Sequence, residues 1–285
     1  DITDIINGGF GSSPKFPHFP SLSFLIAYSE TESAISKIKH TLDRMCVSGI
    51  NDIIDGGFYR YTVDDLLMIP HFEKMLYDNG PMMSVLCDAN VRFSDNFYLT
   101  NALLIYEWVN EFMTHKDGVF YSSMDADSDG AEGKYYVFTK EELSDSFRDN
   151  DREIFEELFF DANDKPNFEG KYHLHVKRGK HTNFKKENCS LLNIFNKLKN
   201  VRKKRSLPGI DKKILLSWNC LYIKGLIKLY KITKDQQIFI KIKIAIEFIL
   251  NNMVDNNIVY SVYHDEKCFP GYLDDYAFLS SCLLD

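Results

Sequence analysis

Residues 56–74 read GGFYRYTVDDLLMIPHFEK, and this stretch says more about the fold and its polar centre than any other. A glycine turn is followed by Arg60, by two carboxylates, and then by Pro70, His71 and Glu73. Proline is tolerated at the first position of a helix, so the sequence predicts that a helix begins at Pro70. Glu73 would lie in its first turn, where a negative charge suits the helix dipole. A titratable ring, a carboxylate and a guanidinium this close together predict a reaction centre or a polar ligand site.

A turn followed by an aromatic residue recurs along the chain, between segments of helical period. Apolar residues spaced three or four apart predict helices over residues 35–46, 103–112, 221–230 and 238–253. Helix–loop–helix units that cannot bury their own apolar faces have to stack on their neighbours. We therefore predict an all-α fold, an α/α toroid whose loops gather around one concave site. This pattern of a turn followed by an aromatic residue occurs at Gly8-Gly9-Phe10, Gly56-Gly57-Phe58-Tyr59, Asp117-Gly118-Val119-Phe120-Tyr121 and, more weakly, Asn257-Ile258-Val259-Tyr260.

Three local signals add detail to this expectation. The pair Gly80-Pro81 falls within a helical pattern, where proline removes a backbone hydrogen bond, so we expect a kink or a break. Thr139 and Glu142 have the spacing of a capping box and predict a helix start. Residues 134–138 and 171–176 are predicted to be short strands within loops.

The composition indicates a globular protein, since 45% of the 285 residues are hydrophobic and 26% are charged. No run of about 18 apolar residues occurs, so no membrane span is predicted. The net charge is -7, although residues 171–213 are rich in Lys and Arg. A nucleic-acid surface needs basic residues on one face with aromatic residues between them. We interpret the basic stretch as a solvated outer face and predict no nucleic-acid partner.

The six cysteines are separated from one another, without the C-x-x-C pair of zinc or thioredoxin-type redox sites. Most lie among apolar residues, which predicts buried free thiols. Free thiols are typical of a reducing compartment, so we predict a cytoplasmic location. The chain begins at Asp1 rather than at a methionine, and we expect that it is cut at both ends. The cysteines are Cys46, Cys87, Cys189, Cys220, Cys268 and Cys282.

Acidic residues at alternate positions resemble part of a calcium loop. Asp125, Asp127 and Asp129 before Gly130 match the first half of an EF-hand, but its twelfth position is Tyr136 instead of the bidentate Glu. We therefore predict no metal and no cofactor. Two uses of the carboxylates stay open: a glycosidase-type acid/base pair, which requires carboxyl groups about 5 to 9.5 Å apart, or the capping of turns and pairing with basic side chains. For Asp129 we favour the structural use.

Six blocks of sequence, in this order, carry a resemblance to a known family. They are Gly8–Pro17 (GGFGSSPKFP), Met45–Asp78, Phe120–Thr139 (FYSSMDADSDGAEGKYYVFT), Asn167–Lys171 (NFEGK), Leu215–Leu221 (LLSWNCL) and Gly271–Phe278 (GYLDDYAF). Together they closely resemble the YyaL family, the spermatogenesis-associated thioredoxin-like proteins, over nearly the whole chain. The blocks PHFEKMLYD and DADSDGAEGK are very specific.

The resemblance implies an (α/α)6 barrel similar to N-acylglucosamine 2-epimerases and six-hairpin glycosidases. Members of the family carry a thioredoxin-like domain before this barrel, which makes such a domain an expected partner. We expect residues 1–285 to form a single toroid domain, without the thioredoxin-like domain and the last hairpins. Pro81 and Cys220 depart from the family pattern, since glycine is usual at the position of Cys220.

The residues around His71 suit proton transfer. Epimerisation beside a carbonyl needs a base to remove a proton and an acid to return it, and histidine can take both roles. We predict His71 as the acid/base group, Glu73 as the residue that orients it, and Arg60 as the group that holds a sugar oxygen or a developing enediolate. The alternatives are that His71 only ties the helix start to its loop, and that Arg60 pairs with Asp64 or Asp65.

Further polar and aromatic residues are predicted to bind the substrate. Trp218 and Tyr276 lie at the starts of later helices and offer aromatic faces of the kind that suits sugar rings. The alternative for this group is core packing and helix capping. The predicted substrate-binding residues are Lys15, Tyr61, Asp64, Asp125, Asp127, Glu132, Trp218, Asn219, Asp274, Asp275 and Tyr276.

These observations lead to three functional hypotheses. The first is a carbohydrate-active enzyme, an epimerase or isomerase that takes a sugar-like small molecule. The second is a glycoside hydrolase that uses Asp125 or Asp127 together with Asp274 or Asp275. The third is a non-catalytic partner module of a thioredoxin-like domain.

Overall fold

The computed structural model describes residues 2–147, 149–159, 165–186 and 188–285. The helices among them are α1 (Phe19–Tyr28), α2 (Glu32–Val47), α3 (Leu76–Phe93), α4 (Asn96–Phe112), α5 (Lys140–Ser146), α6 (Asp149–Leu158), α7 (His181–Lys186), α8 (Asn188–Arg202), α9 (Leu216–Thr233), α10 (Gln236–Asn252) and α11 (Leu273–Leu284). The strands are β1 (Tyr61–Thr62), β2 (Pro70–His71), β3 (Lys74–Met75), β4 (Ser123–Met124), β5 (Asp127–Ser128), β6 (Ala131–Glu132), β7 (Ile210–Asp211), β8 (Ile214–Leu215), β9 (Val254–Asp255), β10 (Ile258–His264) and β11 (Glu266–Pro270).

The chain divides into two compact units, each assembled from three segments. The first unit comprises Asp1–His18, Ser29–Glu73 and Ala126–Gly209. The second unit comprises Phe19–Tyr28, Lys74–Asp125 and Ile210–Asp285. The single domain over residues 1–285 stays a prediction.

The second unit is built on helix packing. In it α3 packs against α9, α4 and α1, and α9 packs against α10 and α11. The two central helices approach closely at Gly80, where a β-carbon would lie only 2.6 Å from the Cα of Tyr222. Of the predicted kink or break, the structure excludes the break, because α3 continues through Pro81. The helix begins at Leu76, so Pro81 lies in its second turn and costs the helix one backbone hydrogen bond.

Two segments of the chain, residues 70–113 and 210–253, follow one plan. Each begins with two short strands, β2 and β3 in one and β7 and β8 in the other, and continues with a helix of 18 residues and a helix of 17 residues. The second helix of each pair is capped at its N-terminus by an aspartate, Asp95 or Asp235, whose side chain accepts a backbone N–H. The helical periods predicted from the sequence for α2, α4, α9 and α10 are confirmed.

Short strands join the loops between helices. In the second unit β3, β4 and β7 form one antiparallel sheet, and β8, β10 and β11 form another, to which β9 adds by pairing with β10. The short β pieces expected in loops are therefore present. Residues 134–138 and 171–176, predicted as strands, instead meet in one isolated bridge between Phe138 and Tyr172. The hairpin of β10 and β11 was not predicted.

The first unit contains an ionic core around Arg202. The Nη1 atom of this guanidinium lies 2.8 Å from Asp52 Oδ1 and 2.8 Å from Asp55 Oδ2, and Nη2 donates to the Tyr136 carbonyl at 3.0 Å. Burial opposes the charge, but the two carboxylates outweigh it and raise the pKa of Arg202. Arg202 belongs to the basic stretch but is buried, so the solvated face predicted for that stretch does not include it. The capping box predicted at Thr139 is confirmed, since both of its hydrogen bonds are present.

The thiols match the expectation of unpaired cysteines as far as the structure describes them. Cys46, Cys87, Cys220 and Cys282 are buried and free, and Cys268 is free and half-buried. The side chain of the remaining cysteine, at position 189, lies outside the described residues. None of the described helices combines the length and the apolar composition that crossing a bilayer requires.

Candidate functional site

A small hairpin, and not a helix start, positions His71. Strand β2 pairs antiparallel with β1, so that His71 lies opposite Tyr61, and the two rings stack with centroids 5.3 Å apart and planes 21° from parallel. The predicted helix start at Pro70 is wrong, since α3 begins at Leu76. The pairing with β1, together with the Arg60 N–H donated to the Glu73 carbonyl, holds this segment extended.

A second hairpin supplies Glu132. Strands β5 and β6 pair so that Asp127 lies opposite Glu132, and the two residues between the strands are Asp129 and Gly130, with φ of 48° and 74°. Positive φ at both positions is the requirement of the tight hairpin turns in which Asp-Gly is favoured. The acidic run is therefore a turn, and Asp129 pairs with Lys134 at 3.1 Å, in line with its predicted structural use. No metal-binding cluster occurs among the described residues.

The two hairpins bring a carboxylate to the imidazole. His71 Nδ1 lies 2.8 Å from Glu132 Oε1. A carboxylate accepts hydrogen bonds, so Nδ1 carries the proton and the neutral ring keeps its lone pair on Nε2. Nε2 lies 3.8 Å from Glu73 Oε2, beyond hydrogen-bond distance. The orienting role predicted for Glu73 is therefore better matched by the geometry of Glu132.

Arg60 and Glu73 complete the cluster. Arg60 Nη1 lies 3.6 Å from Glu73 Oε2, which places a guanidinium and a carboxylate on the Nε2 side of the ring. The side chains of His71, Glu73 and Arg60 are 32%, 25% and 40% exposed. An imidazole with this exposure is accessible to a ligand. We call His71, Glu132, Glu73, Arg60 and Tyr61 the imidazole cluster.

Two other predicted residues of the first unit are held by their surroundings. The buried ammonium of Lys15 lies 2.5 Å from Asp4 Oδ2 and donates to the Gly8 carbonyl at 3.1 Å. Burial acts to raise the pKa of Asp4, but hydrogen bonds from the Asn7 backbone and from Lys15 outweigh it and leave that pKa lowered. Lys15 thus anchors the N-terminal loop, while its own backbone pairs with Thr62.

Asp64 organises the loop between β1 and β2. Its carboxylate accepts the backbone N–H groups of Leu66 at 2.7 Å, Met68 at 3.2 Å and Ile69 at 2.6 Å. The neighbouring Asp65 accepts the backbone N–H of Ser13. These bonds fix the loop that connects the two strands and so support the position of the imidazole.

In the second unit, Asn219 and Trp218 lie at the start of α9. The Asn219 amide accepts the Phe120 N–H at 2.9 Å and donates to the carbonyls of Phe120 and Leu215, both at 3.0 Å. Asn219 is fully buried, so its amide ties a loop to the helix. Trp218 is half-buried and packs on Tyr77 with ring centroids 4.6 Å apart.

The start of α11 carries the remaining predicted residues of this unit. Asp275 is buried and its Oδ2 accepts the Tyr272 N–H at 3.0 Å, which makes it a capping residue. The hydroxyl of Tyr276 accepts the Val259 N–H at 3.1 Å. Asp274 is exposed, as are Asp125 in the second unit and Asp127 in the first. The structure therefore gathers Arg60, Tyr61, His71, Glu73 and Glu132 in one unit and places Trp218, Asn219, Asp274, Asp275 and Tyr276 in the other.

Comparison with solved structures defines the class of fold. The chain is similar to a family 76 glycoside hydrolase, a mannosidase of Bacteroides thetaiotaomicron, with a TM-score of 0.51 and 12% identity over 93% of this chain and 51% of that one. A cellobiose 2-epimerase of Spirochaeta thermophila also matches, with a TM-score of 0.38 and 13% identity over 99% of this chain and 90% of that one. The chain has the (α/α)6-toroid fold class predicted from its sequence, a fold like that of carbohydrate-active enzymes.

Comparison with curated proteins identifies the relatives. The chain is 32% identical to an uncharacterised protein of Caenorhabditis elegans and 29% identical to spermatogenesis-associated protein 20 of Homo sapiens, in both cases over 98% of this chain. It spans less than half of each relative, 44% and 42% of their lengths. No protein-family model matches the chain. The resemblance to the YyaL family is confirmed, and the chain is a homologue of the spermatogenesis-associated 20 proteins.

Proposed function

We propose that the imidazole cluster catalyses proton transfer on a sugar, as an aldose–ketose isomerase or a sugar epimerase does. The observation that supports this proposal is the hydrogen bond between His71 Nδ1 and Glu132, because it leaves the lone pair of a neutral ring on Nε2. A base fixed in one tautomer by a carboxylate is a recurring arrangement in acid/base catalysis. The cluster is open to solvent, as an entering sugar requires.

The positions of the groups support the following reaction. Nε2 takes the proton from the carbon beside the sugar carbonyl, the C–H electron pair forms a carbon–carbon double bond, and the carbonyl oxygen becomes an enediolate. Arg60 lies on this side of the ring and would stabilise the negative oxygen. Return of the proton to the former carbonyl carbon, with transfer of the neighbouring hydroxyl proton to the former carbonyl oxygen, gives the isomeric sugar, and one base suffices for the transfer between the two carbons. Return to the original carbon from the opposite face gives the epimer and needs a second acid.

Aromatic faces beside the imidazole favour a sugar as the substrate. Tyr61 stacks on His71 and also packs on Phe16, with ring centroids 4.8 Å apart, and Phe16 is 39% exposed. Aromatic rings with one exposed face suit ligands that have both apolar and polar sides. The fold of the chain, shared with a mannosidase, agrees with this substrate class.

The carboxylate-pair hydrolase has less support. One of its four candidate residues, Asp275, is buried and caps a helix, so its carboxylate is already in use. A thioredoxin-like partner domain and a cytoplasmic location stay predictions.

Solvent-proton exchange tests the proposal directly. The protein is incubated in D2O with a panel of aldoses, ketoses and β-linked disaccharides, and deuterium uptake beside the carbonyl is followed by NMR. We expect uptake with at least one sugar, and a loss of about 100-fold or more in His71→Gln, the usual scale for a removed acid/base group. The control is His264→Gln, a histidine of the second unit whose side chain is 60% exposed.

The outcomes separate clearly. Uptake that is lost in His71→Gln and kept in His264→Gln supports the proposal. Equal rates in His71→Gln and the unchanged protein, or no uptake with any sugar of the panel, would overturn it.

A further inference from the structure

A cavity with polar residues in its wall lies in the first unit, apart from the imidazole cluster. Its volume is about 280 Å³. Ligand sites in proteins typically span about 300 to 1,000 Å³, so this cavity lies just below the small end of that range and suits only a small metabolite. It is lined by Asn7, Arg44, Leu66, Met68, Phe159, Lys165, Asn167, Tyr172, His173, Leu174, His175, Val176, Lys177 and Arg178.

The described residues of the cavity wall carry charge of one sign. Arg44, Lys165, Lys177 and Arg178 are basic, and none of the described wall residues is an aspartate or a glutamate. Burial, together with repulsion from the nearby charge of Arg178, lowers the pKa of Arg44, while the charge of Asp4 opposes this shift. Arg44 is also held in place, because its Nε donates to the Asn7 carbonyl at 3.2 Å and Nη2 donates to the Leu66 carbonyl at 3.3 Å. A bound anion would relieve this repulsion.

His173 also lines the cavity, and its ring contains a buried hydrogen-bond acceptor. It is 3% exposed, and burial lowers its pKa to about 3, so the ring is neutral. Nε2 lies 2.7 Å from the Gly49 carbonyl, to which it donates, and Nδ1 therefore carries a lone pair. Nδ1 is buried and has no hydrogen-bond partner among the described residues. A buried polar atom without a partner is costly, so a ligand hydroxyl that reached it would be favoured.

The cavity wall and the imidazole cluster contact adjacent residues of one extended segment, Phe72 and His71. Phe72 packs on His173 with ring centroids 5.0 Å apart, whereas the adjacent His71 contacts Tyr61 and Glu132. Successive side chains of an extended segment point to opposite faces. A ligand in the cavity is therefore distinct from a substrate at His71, and this site does not depend on the proposed reaction.

We propose that this cavity binds a small phosphate monoester that also carries a hydroxyl group. Guanidinium and ammonium groups together suit the charge and the several acceptor oxygens of a phosphate better than a monoanionic carboxylate. The hydroxyl donates to His173 Nδ1. Both free metabolites and inorganic phosphate contain the shared anion, and the ligands of the test distinguish them.

Calorimetric titration at about 0.1 M salt tests the site with four probes: a hexose 6-phosphate, the unphosphorylated hexose, a hexuronate and inorganic phosphate. We expect the hexose 6-phosphate to bind more tightly than the other three. In Arg178→Gln and in Lys165→Gln its Kd should rise about tenfold or more. Both residues are exposed, so these variants should keep the fold, which circular dichroism checks. Lys212→Gln is the matched control, because it removes an exposed positive charge outside the cavity.

The results decide between the alternatives. Weaker binding in both cavity variants and unchanged binding in Lys212→Gln support the site. No binding of the hexose 6-phosphate, or equal Kd values in all variants, would overturn it. Equal affinity for inorganic phosphate or for the hexuronate would refute the assignment to a monoester.

Discussion

The segments 70–113 and 210–253 share a backbone plan and differ in the residues ahead of the first helix. Where the first has His71 and Glu73, the second has Asp211 and Lys213, which pair with each other at 3.0 Å. The carbonyl of Asp211 also accepts the N–H of Ser122. In one segment these positions hold an accessible imidazole, and in the other they hold an ion pair beside a sheet. The helix pair provides the scaffold, and the few residues before it determine the chemistry.

The largest expected effect concerns the contact between the two first helices. Gly80 in α3 and Cys220 in α9 are the fifth residues of their helices, and a β-carbon at Gly80 would lie 2.6 Å from the Tyr222 Cα of the other helix. Alanine has a higher helix propensity than glycine, but its β-carbon cannot be accommodated at this contact. We therefore expect Gly80→Ala to lower the free energy of unfolding by about 3 kcal/mol. Cys220→Ala should cost about 1 kcal/mol. Urea unfolding measures both, and equal losses would contradict this account of the packing.

The second effect is a loss of stability in acid. It arises at His173, on which Phe72 packs, whereas the counterpart of Phe72 in the second segment, Lys212, is exposed. Phe72 packs on His173, whose pKa burial lowers to about 3, whereas in the unfolded chain it is about 6.5. Between these values the unfolded state binds the extra proton, so stability falls as the pH falls below about 6.5. We expect a loss of about 2 kcal/mol by pH 5. His173→Gln should flatten this slope in pH-dependent urea titrations, and an unchanged slope would be evidence against a buried neutral ring.

The third effect concerns the hydrogen bond between His71 and Glu132. The counterpart of His71, Asp211, pairs with Lys213 instead. In Glu132→Gln the side-chain amide can donate to Nδ1, so the ring no longer has to carry its proton there. We expect the neutral ring to gain the Nε2–H tautomer, read from its 15N shifts, and kcat to fall about tenfold with little change in KM. Glu73→Gln should leave the tautomer unchanged. The same tautomer in all three proteins would remove the orienting role of Glu132.

The smallest effect concerns the ends of α3 and α9. Both helices end at a residue with left-handed backbone, Ser94 with φ 52° and Lys234 with φ 56°. Glycine adopts this conformation without cost, so Ser94→Gly should stabilise the protein by about 0.5 kcal/mol. Lys234→Gly should gain less, since it removes the ammonium that lies 5.8 Å from the Tyr230 ring. Thermal unfolding can rank the two, and a loss in Ser94→Gly would contradict the strain argument.

The helices could be predicted because their signals are local. The apolar spacing within α2, α4, α9 and α10 and the capping box at Thr139 depend on residues within a few turns of each other. The start of α3 could not be placed in the same way. Pro70 and His71 look like a helix N-terminus in sequence, but they pair with β1, and such pairing depends on the fold of the intervening loop.

The partners of the polar groups were the least predictable part. Glu132 was predicted only as a substrate-binding residue, and nothing in the sequence indicates that it contacts a ring 61 residues away. Arg202 and Asp52 are 150 residues apart and form a buried ion pair all the same. One signal for this part was local, since the Asp129-Gly130 dipeptide between short extended pieces favours a tight hairpin turn.

The two-residue turn at Asp129 and Gly130 has a consequence for how the polar centre could change. Because side chains alternate along a strand, one extra residue in this turn would slip the register of β6 and swing the Glu132 carboxylate to the far side of the hairpin. The strand ahead of α3 would be untouched, and the ring of His71 would lose its acceptor while every helix kept its place. The length of one surface turn thus determines whether the His71 ring has a carboxylate acceptor, without any change in the residues around the ring.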